Sequence, residues 1–318
     1  MNDIRLTKKS GASGKRSARV SEWRRWLWMV CLSVICARLA AQDAVPATCK
    51  MDSPLPEADE MRPVGLAGDT IHYQPILPGK FQLYASNDII DRKGVLDPIW
   101  ERLRQIRTSH GSIEDTLRVI HVGDSHIRGH IYPRATGELF TGEFAAATYT
   151  DFGINGATCA TFLKEDRLLR IEESKADLII LSFGTNESHN RRYDARTHYR
   201  QMDELLENLR LRMPDVPILL TTPPGSYDRY WVRKKRQYRV NPRTEKAAET
   251  IVHFAADHGL AVWDMYALVG GLEHACANWQ SAHLMRPDHI HYLAPGYTLQ
   301  GSLFFQAIVN AYNSYVTR

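Results

Sequence analysis

At 318 residues, with 44% hydrophobic and 24% charged side chains, the chain can bury one substantial core, and collagen-like, low-complexity and wholly disordered classes are excluded. Its formal charge of +4 suggests an acidic partner, but the excess is concentrated at the front: residues 1–41 hold nine Lys/Arg and two Asp/Glu. The remainder carries 31 basic and 34 acidic groups, a net charge near −3 that leaves no field for nucleic acid.

Those first 41 residues read as a signal peptide. Lys8, Lys9, Lys15, Arg16, Arg19, Arg24 and Arg25 form a basic front, an apolar run extends from Trp26 to Ala37, and the small residues Ala40 and Ala41 precede Gln42. The order is that of a secretory leader, so a periplasmic or secreted location is expected. The run is short for a membrane span and ends at Arg38, so no stable span is expected in the mature form; a retained leader would instead be an anchor. Cys31 and Cys36 belong to the leader, which leaves Cys49, Cys159 and Cys276, an odd number that excludes complete internal pairing. Two readings stand: a Cys159–Cys276 bridge tying the loop before Asp288 to the scaffold, or three reduced thiols.

Residues 42–115 are irregular and rich in proline, with one helix marked by Asp97 as N-cap, Pro98 at the first helical position, and Ile99, Leu103 and Ile106 at helical spacing. This region is expected to be an N-terminal extension packed on the main domain.

From Thr116 the texture becomes an alternation of short apolar runs and helical patterns. Strands are expected at Arg118–Val122, Ala147–Phe152, Ala176–Ser182, Val216–Thr221 and Leu260–Asp264, and helices at Tyr199–Met213, Thr244–His258 and Thr298–Tyr315. The runs Leu178–Leu181 and Pro217–Leu220 lack polar alternation, as strands of a parallel sheet covered on both faces do. The expected fold is α/β, a three-layer α/β/α sandwich around a central, mainly parallel five-stranded sheet over residues 116–318. Ligands then belong at the carboxyl ends of the strands.

Four short motifs fall at that edge: Val122-Gly-Asp-Ser-His126, Gly153-Ile-Asn-Gly-Ala157, Phe183-Gly-Thr-Asn-Glu187 and Asp288-His-Ile-His291. Each has an ordinary structural reading. Asp124 and Ser125 could cap a helix, Asn186 could hold a turn, and Asp288 and His291 could be loop residues. Together they carry more weight, because three successive strands each end in one element and the acid–base pair follows last.

The four motifs resemble blocks I, II, III and V of the SGNH (GDSL-like) hydrolase superfamily, in order and with similar spacing, over about residues 116–318. The resemblance implies Ser125 as nucleophile, Asp288 and His291 as orienter and base, and Ser125, Gly156 and Asn186 as oxyanion-hole donors. His126 stands where many members carry leucine, a version similar to a branch of exported bacterial proteins regarded as carbohydrate or peptidoglycan O-acetylesterases. The chemistry agrees. A serine hydroxyl attacks well only when an imidazole takes its proton, the imidazole needs a carboxylate to fix its tautomer, and the oxyanion needs preorganised N–H groups.

His121, His126 and His130 suggest a metal, but His121 falls in a strand pattern and no His-Glu-x-x-His motif is present, so neither a metal nor a cofactor is expected. Glu187 reads as a helix cap. The basic-aromatic run Tyr227–Arg239 should overhang the catalytic edge, either gripping an anionic glycan or forming a solvated helix face; His126, Arg229 and Trp231 are the candidate substrate contacts. The expected function is a serine esterase removing O-acetyl or other acyl groups from a glycan such as peptidoglycan. The alternatives are a lipolytic esterase or thioesterase on the same fold, transacylation through the same acyl-enzyme, and a catalytically silent glycan-binding protein.

Overall fold

The computed structural model describes residues 69–108 and 116–318; the leader-like segment and Cys49 lie outside the described residues. In chain order the elements that position the site are β1 (Ile89–Ile90), α1 (Asp97–Thr108), β2 (Leu117–Gly123), α2 (Ser125–Arg128), α3 (Ile131–Glu143) and β3 (Ala147–Gly153). A 3-10 helix (Cys159–Leu163) leads to α4 (Glu165–Glu173), β4 (Leu178–Ser182), α5 (Thr185–His189), α6 (Ala195–Arg212) and β5 (Ile218–Thr221). Then come β6 (Tyr227–Val232), β7 (Lys235–Val240), α7 (Pro242–His258), β8 (Ala261–Trp263), α8 (Met265–Leu268), α9 (Gly271–Ser281) and α10 (Ala294–Val316).

The sheet order is β1-β8-β5-β4-β2-β3, with β2, β3, β4, β5 and β8 mutually parallel. It therefore has six strands rather than the expected five. The sixth, β1, comes from the N-terminal extension and runs antiparallel to β8, with Ile89 opposite Trp263 and Ile90 opposite Val262. Two residues carry no readable periodicity, which is why the sequence gives no sign of it.

Successive side chains of the parallel strands go to opposite faces, and both faces are dry. Leu117, Val119, Leu178, Ile180, Leu219 and Trp263 join one core, covered by α1, α3 and α10. Ile120, Val122, Ile179, Leu181, Leu220 and Val262 join the other, covered by α4, α6 and α7. His121 belongs to the first face as a core residue, not a ligand. Tyr149 Oη lies 2.8 Å from its Nδ1 and Ser182 Oγ 2.6 Å from its Nε2, and burial pushes its pKa down to about 3, so it is neutral.

The basic-aromatic run forms the β6–β7 hairpin, not a helix face, with Arg229 opposite Tyr238 and Trp231 opposite Arg236. Its turn is Arg233-Lys234, both with positive φ, a conformation usually signalled by Gly or Asn. The Cys159–Cys276 bridge is not formed; both thiols are free and buried. Cys159 belongs to the core beneath α6, whereas Cys276 donates to the Ser226 carbonyl and is flanked on α9 by Ala275 and Trp279 of the opposite core. Among the described residues no helix is long and apolar enough to cross a membrane.

Helix α1, although drawn from the extension, places Ile99, Trp100, Leu103 and Ile106 in the same core as the sheet. Leu103 is 0% exposed. Leu103→Ala should therefore destabilise the catalytic unit itself, by about 2–5 kcal/mol in urea unfolding, through lost burial and the cavity left behind. A change near zero would show that the helix is dispensable.

Candidate active site

The nucleophile candidate sits where β2 turns into α2. Asp124 caps the short helix by accepting the His126 N–H at 2.8 Å. Ser125 follows, and its Oγ lies 2.9 Å from His291 Nε2. On the far side of the ring, His291 Nδ1 lies 3.1 Å from Asp288 Oδ2. The other Asp288 oxygen accepts the backbone N–H groups of Ile290 (2.9 Å) and His291 (2.8 Å), so the carboxylate folds its own loop and faces the ring with its remaining oxygen. The structure thus brings Ser125, His291 and Asp288 into one relay from positions 166 residues apart.

The loop carrying Asp288 and His291 is braced from two sides. Arg286 N–H donates to His291 O at 2.9 Å, and Leu293 N–H to Leu284 O at 2.8 Å. The hairpin supplies the second brace: Tyr227 N–H donates to His289 O at 3.0 Å, the Tyr238 ring packs 4.0 Å from that of His289, and Tyr238 Oη donates to Pro287 O at 3.3 Å. Tyr227, Arg229, Trp231, Arg236 and Tyr238 share one face of the hairpin by its two-residue period. With His189, Arg191 and Asp288 they line a cleft of 350 Å³. Trp231 is 61% exposed there. His189 and Arg191 were not singled out from the sequence, although both lie within five residues of Asn186.

The other motif residues are placed as follows. Asn186 Nδ2 donates to Ala157 O at 2.8 Å and to Asp124 Oδ2 at 3.2 Å, so both of its amide hydrogens have acceptors. Gly156 is exposed in the turn after β3, with φ +71° and open space where a Cβ would lie. Burial pushes the Asp124 carboxyl up to about 8 despite the His126 N–H that it accepts. His126, a candidate substrate contact in the sequence, is instead 5% exposed. Its Nδ1 lies 3.0 Å from Tyr297 Oη, and its ring lies 5.4 Å from that of His291. Burial, reinforced by His291, pushes its pKa down to about 3 and keeps it neutral.

Asp288 presents a carboxylate to the His291 ring. Burial raises its carboxyl, but the His291 and Ile290 N–H groups and the His291 ring outweigh this and hold it below the ordinary 3.8. A folded-state value below the unfolded one contributes stability that is present above pH 3.8 and lost as the pH falls through the lowered value. Asp288→Asn should remove this component, so wild-type and variant urea-unfolding stabilities should differ by a constant amount above about pH 4 and converge as the pH falls below 3.8. Parallel curves would contradict the assignment.

With this geometry established, comparisons identify the fold and family. The model of the GDSL-like lipase/acylhydrolase family matches residues 121–299. No curated protein sequence matches the chain. Among solved structures, a peptidoglycan O-acetylesterase superposes with a TM-score of 0.60 at 15% identity, covering 74% of this chain and 100% of that one. A lipase/acylhydrolase from Enterococcus faecalis gives 0.43 at 19% identity, covering 61% of this chain and 96% of its own. A GDSL-like lipase from Bacteroides thetaiotaomicron gives 0.42 at 16%, covering 66% and 98%. Since the matched segment spans more than half of its length, the chain belongs to the GDSL-like lipase/acylhydrolase family and is an ester hydrolase of the SGNH type.

Proposed function

We propose that the protein is an exported serine esterase that removes O-acetyl groups from the hydroxyls of a glycan such as peptidoglycan. The observation that carries this reading is the Ser125–His291–Asp288 relay opening beside the hairpin cleft. Ser125 Oγ attacks the ester carbonyl while His291 Nε2 takes its proton, and Asp288 holds the ring and stabilises the imidazolium. The oxyanion is received by the N–H groups of Ser125 and Gly156 and by Asn186 Nδ2, which exchanges its longer bond to Asp124 for the new acceptor. His291 then protonates the departing sugar hydroxyl, and water, activated by the same ring, releases acetate.

The choice of sugar over lipid rests on the cleft. Its wall beside Asp288 carries Arg191, Arg229, Trp231 and Tyr238 in place of the apolar groove that a long acyl chain requires. Aromatic faces and guanidinium groups suit sugar rings and their anionic substituents. The fold shared with a peptidoglycan O-acetylesterase and the leader-like first 41 residues agree with this reading.

Ser125→Ala and His291→Ala should each lower ester hydrolysis by about 10⁴-fold or more with the fold intact, and Asp288→Asn should leave more residual activity. A serine-reactive phosphonate should label Ser125; labelling elsewhere, or wild-type activity in the serine variant, would overturn the mechanism. Asn186→Ala should lower kcat by about 10²–10³-fold with little change in KM. A change in KM alone would assign the amide to ground-state binding. Acetate release measured across O-acetylated peptidoglycan and xylan, against long-chain p-nitrophenyl esters, tests the substrate class; preference for the long chains would favour the lipolytic alternative.

A further inference from the structure

A second cluster of reactive side chains lies outside the relay. Cys159 opens the 3-10 helix after β3, Glu187 lies one residue beyond Asn186 in α5, and His198 lies in the first turns of α6. They are 0%, 6% and 2% exposed, and one donor atom from each lies within 4.8 Å of the others.

A hydroxyl network engages one nitrogen of the His198 ring. Its Nδ1 lies 3.0 Å from Tyr193 Oη. The Thr250 hydroxyl donates to Lys246 O at 2.6 Å, and Lys246 O (3.3 Å) and Thr250 Oγ1 (3.0 Å) both lie within hydrogen-bond distance of the Tyr193 hydroxyl. When the Tyr193 hydroxyl donates to Lys246 O or Thr250 Oγ1, its oxygen accepts from His198 Nδ1, and in that tautomer Nε2 carries a lone pair free for a ligand. That Nε2 is buried, has no hydrogen-bond partner, and lies 3.9 Å from Glu187 Oε1. Glu187 cannot turn away, because Oε1 accepts the Cys159 N–H at 2.8 Å and Oε2 the Gly184 N–H at 2.9 Å. Each oxygen keeps a second lone pair.

We propose that Cys159 Sγ, Glu187 Oε1 and His198 Nε2 form a binding site for a borderline-soft divalent ion of the zinc class. Sulfur, imidazole and carboxylate are the donor types such an ion selects. Metal–ligand distances of about 2.0–2.3 Å put tetrahedral donors about 3.3–3.8 Å apart, so the observed cluster closes around an ion with small adjustments. Charge also balances: one thiolate and one carboxylate neutralise a divalent cation, which suits a buried site. Binding displaces the Cys159 thiol proton to solvent and involves no redox change. A cleft of 340 Å³ that reaches Glu187 and His198 gives the ion a route in and a water as fourth ligand. Tyr193 serves as the outer partner that orients the ring.

The ion touches no reacting atom in this arrangement. Its effect is to join the segment after Gly156 to the segment that carries Asn186. Cys159 follows by two residues the Ala157 carbonyl that holds the Asn186 amide, and Glu187 is the next residue after Asn186. The inference stands independently of the esterase reading.

The test uses the full chain, reduced and stripped with a chelator, then titrated with Co²⁺ and Zn²⁺. One Co²⁺ should bind with a thiolate-to-cobalt charge-transfer band, Zn²⁺ should displace it, and about one proton should be released per ion. Cys159→Ser should abolish the band and Cys276→Ser should retain it. His198→Gln and Tyr193→Phe should each weaken binding by about 10-fold or more. Zn²⁺ should raise the Tm of the wild type but not that of His198→Gln, which keeps the proposal testable if Cys159→Ser fails to fold. Absence of the band, its persistence in Cys159→Ser, or equal Zn²⁺ stabilisation of wild type and His198→Gln would overturn the site.

Discussion

Two glycines at the carboxyl ends of adjacent strands set how closely the proposed nucleophile, Ser125, approaches the sheet. Gly123 of β2 and Gly153 of β3 are register partners, and α2 rests directly on both. A Cβ at Gly153 would lie 2.1 Å from the Arg128 backbone nitrogen, and one at Gly123 would lie 2.6 Å from the Ser182 carbonyl oxygen and 2.5 Å from Ile127 Cγ1. These are backbone and core atoms that cannot swing aside, so neither strand end tolerates a side chain. Ile127, wholly buried beneath the helix, anchors it, and Asp124 fixes its first turn. Ser125 inherits its place from this contact. Its 2.9 Å approach to His291 needs no adjustment by the serine itself.

The opposite half of the relay has no strand beneath it and is held by contacts from outside. His289 adopts φ +59°, an unfavourable conformation for a side chain with a Cβ. The hairpin offsets this cost through the Tyr227 N–H bond to His289 O and the Tyr238 ring against the imidazole. One face of β6 and β7 thus has two duties. Tyr227 and Tyr238 brace the loop of Asp288 and His291, while Arg229 and Trp231 line the cleft beside it. One ribbon thereby couples the wall of the cleft to the loop of Asp288 and His291.

The parts of this arrangement that were legible in the sequence are those with local signatures. Helix α1 announced itself by Asp97 and Pro98, and the sheet by apolar runs that ended in Gly-Asp-Ser, Gly-Ile-Asn-Gly and Gly-Thr-Asn. What escaped was long-range or lacked a marker. β1 is two residues long, and its pairing with β8 depends on residues 172 and 174 positions away. The β6–β7 turn uses arginine and lysine where glycine or asparagine would have signalled a hairpin. His126 beside the serine carries no sequence sign of its burial against Tyr297, and the chain positions of Cys159 and Cys276 near the site do not say that Cys159 joins the core beneath α6 while Cys276 lies between Ala275 and Trp279 of the other core. The convergence of Cys159, Glu187 and His198 was invisible for the same reason, since 39 residues separate the first from the last.

Burial around Ser125 also shapes the charge balance of the relay. His121 and His126 are kept neutral, and Asp124, raised to about 8, is mostly uncharged at neutral pH. The floor of the site therefore carries little charge, and Asp288, on the more exposed rim, is the carboxylate in contact with His291. This asymmetry suits the proposed chemistry. A second cationic ring 5.4 Å from His291 would oppose the proton that His291 takes from Ser125, because like charges in a poorly screened site repel strongly. Tyr297 holds the His126 ring in place by its hydroxyl, and the surrounding aromatic rings of Tyr292 and Tyr297 exclude the water that would let it charge. A histidine at this position is thus compatible with the proposed role of His291 as base because the fold keeps it dry.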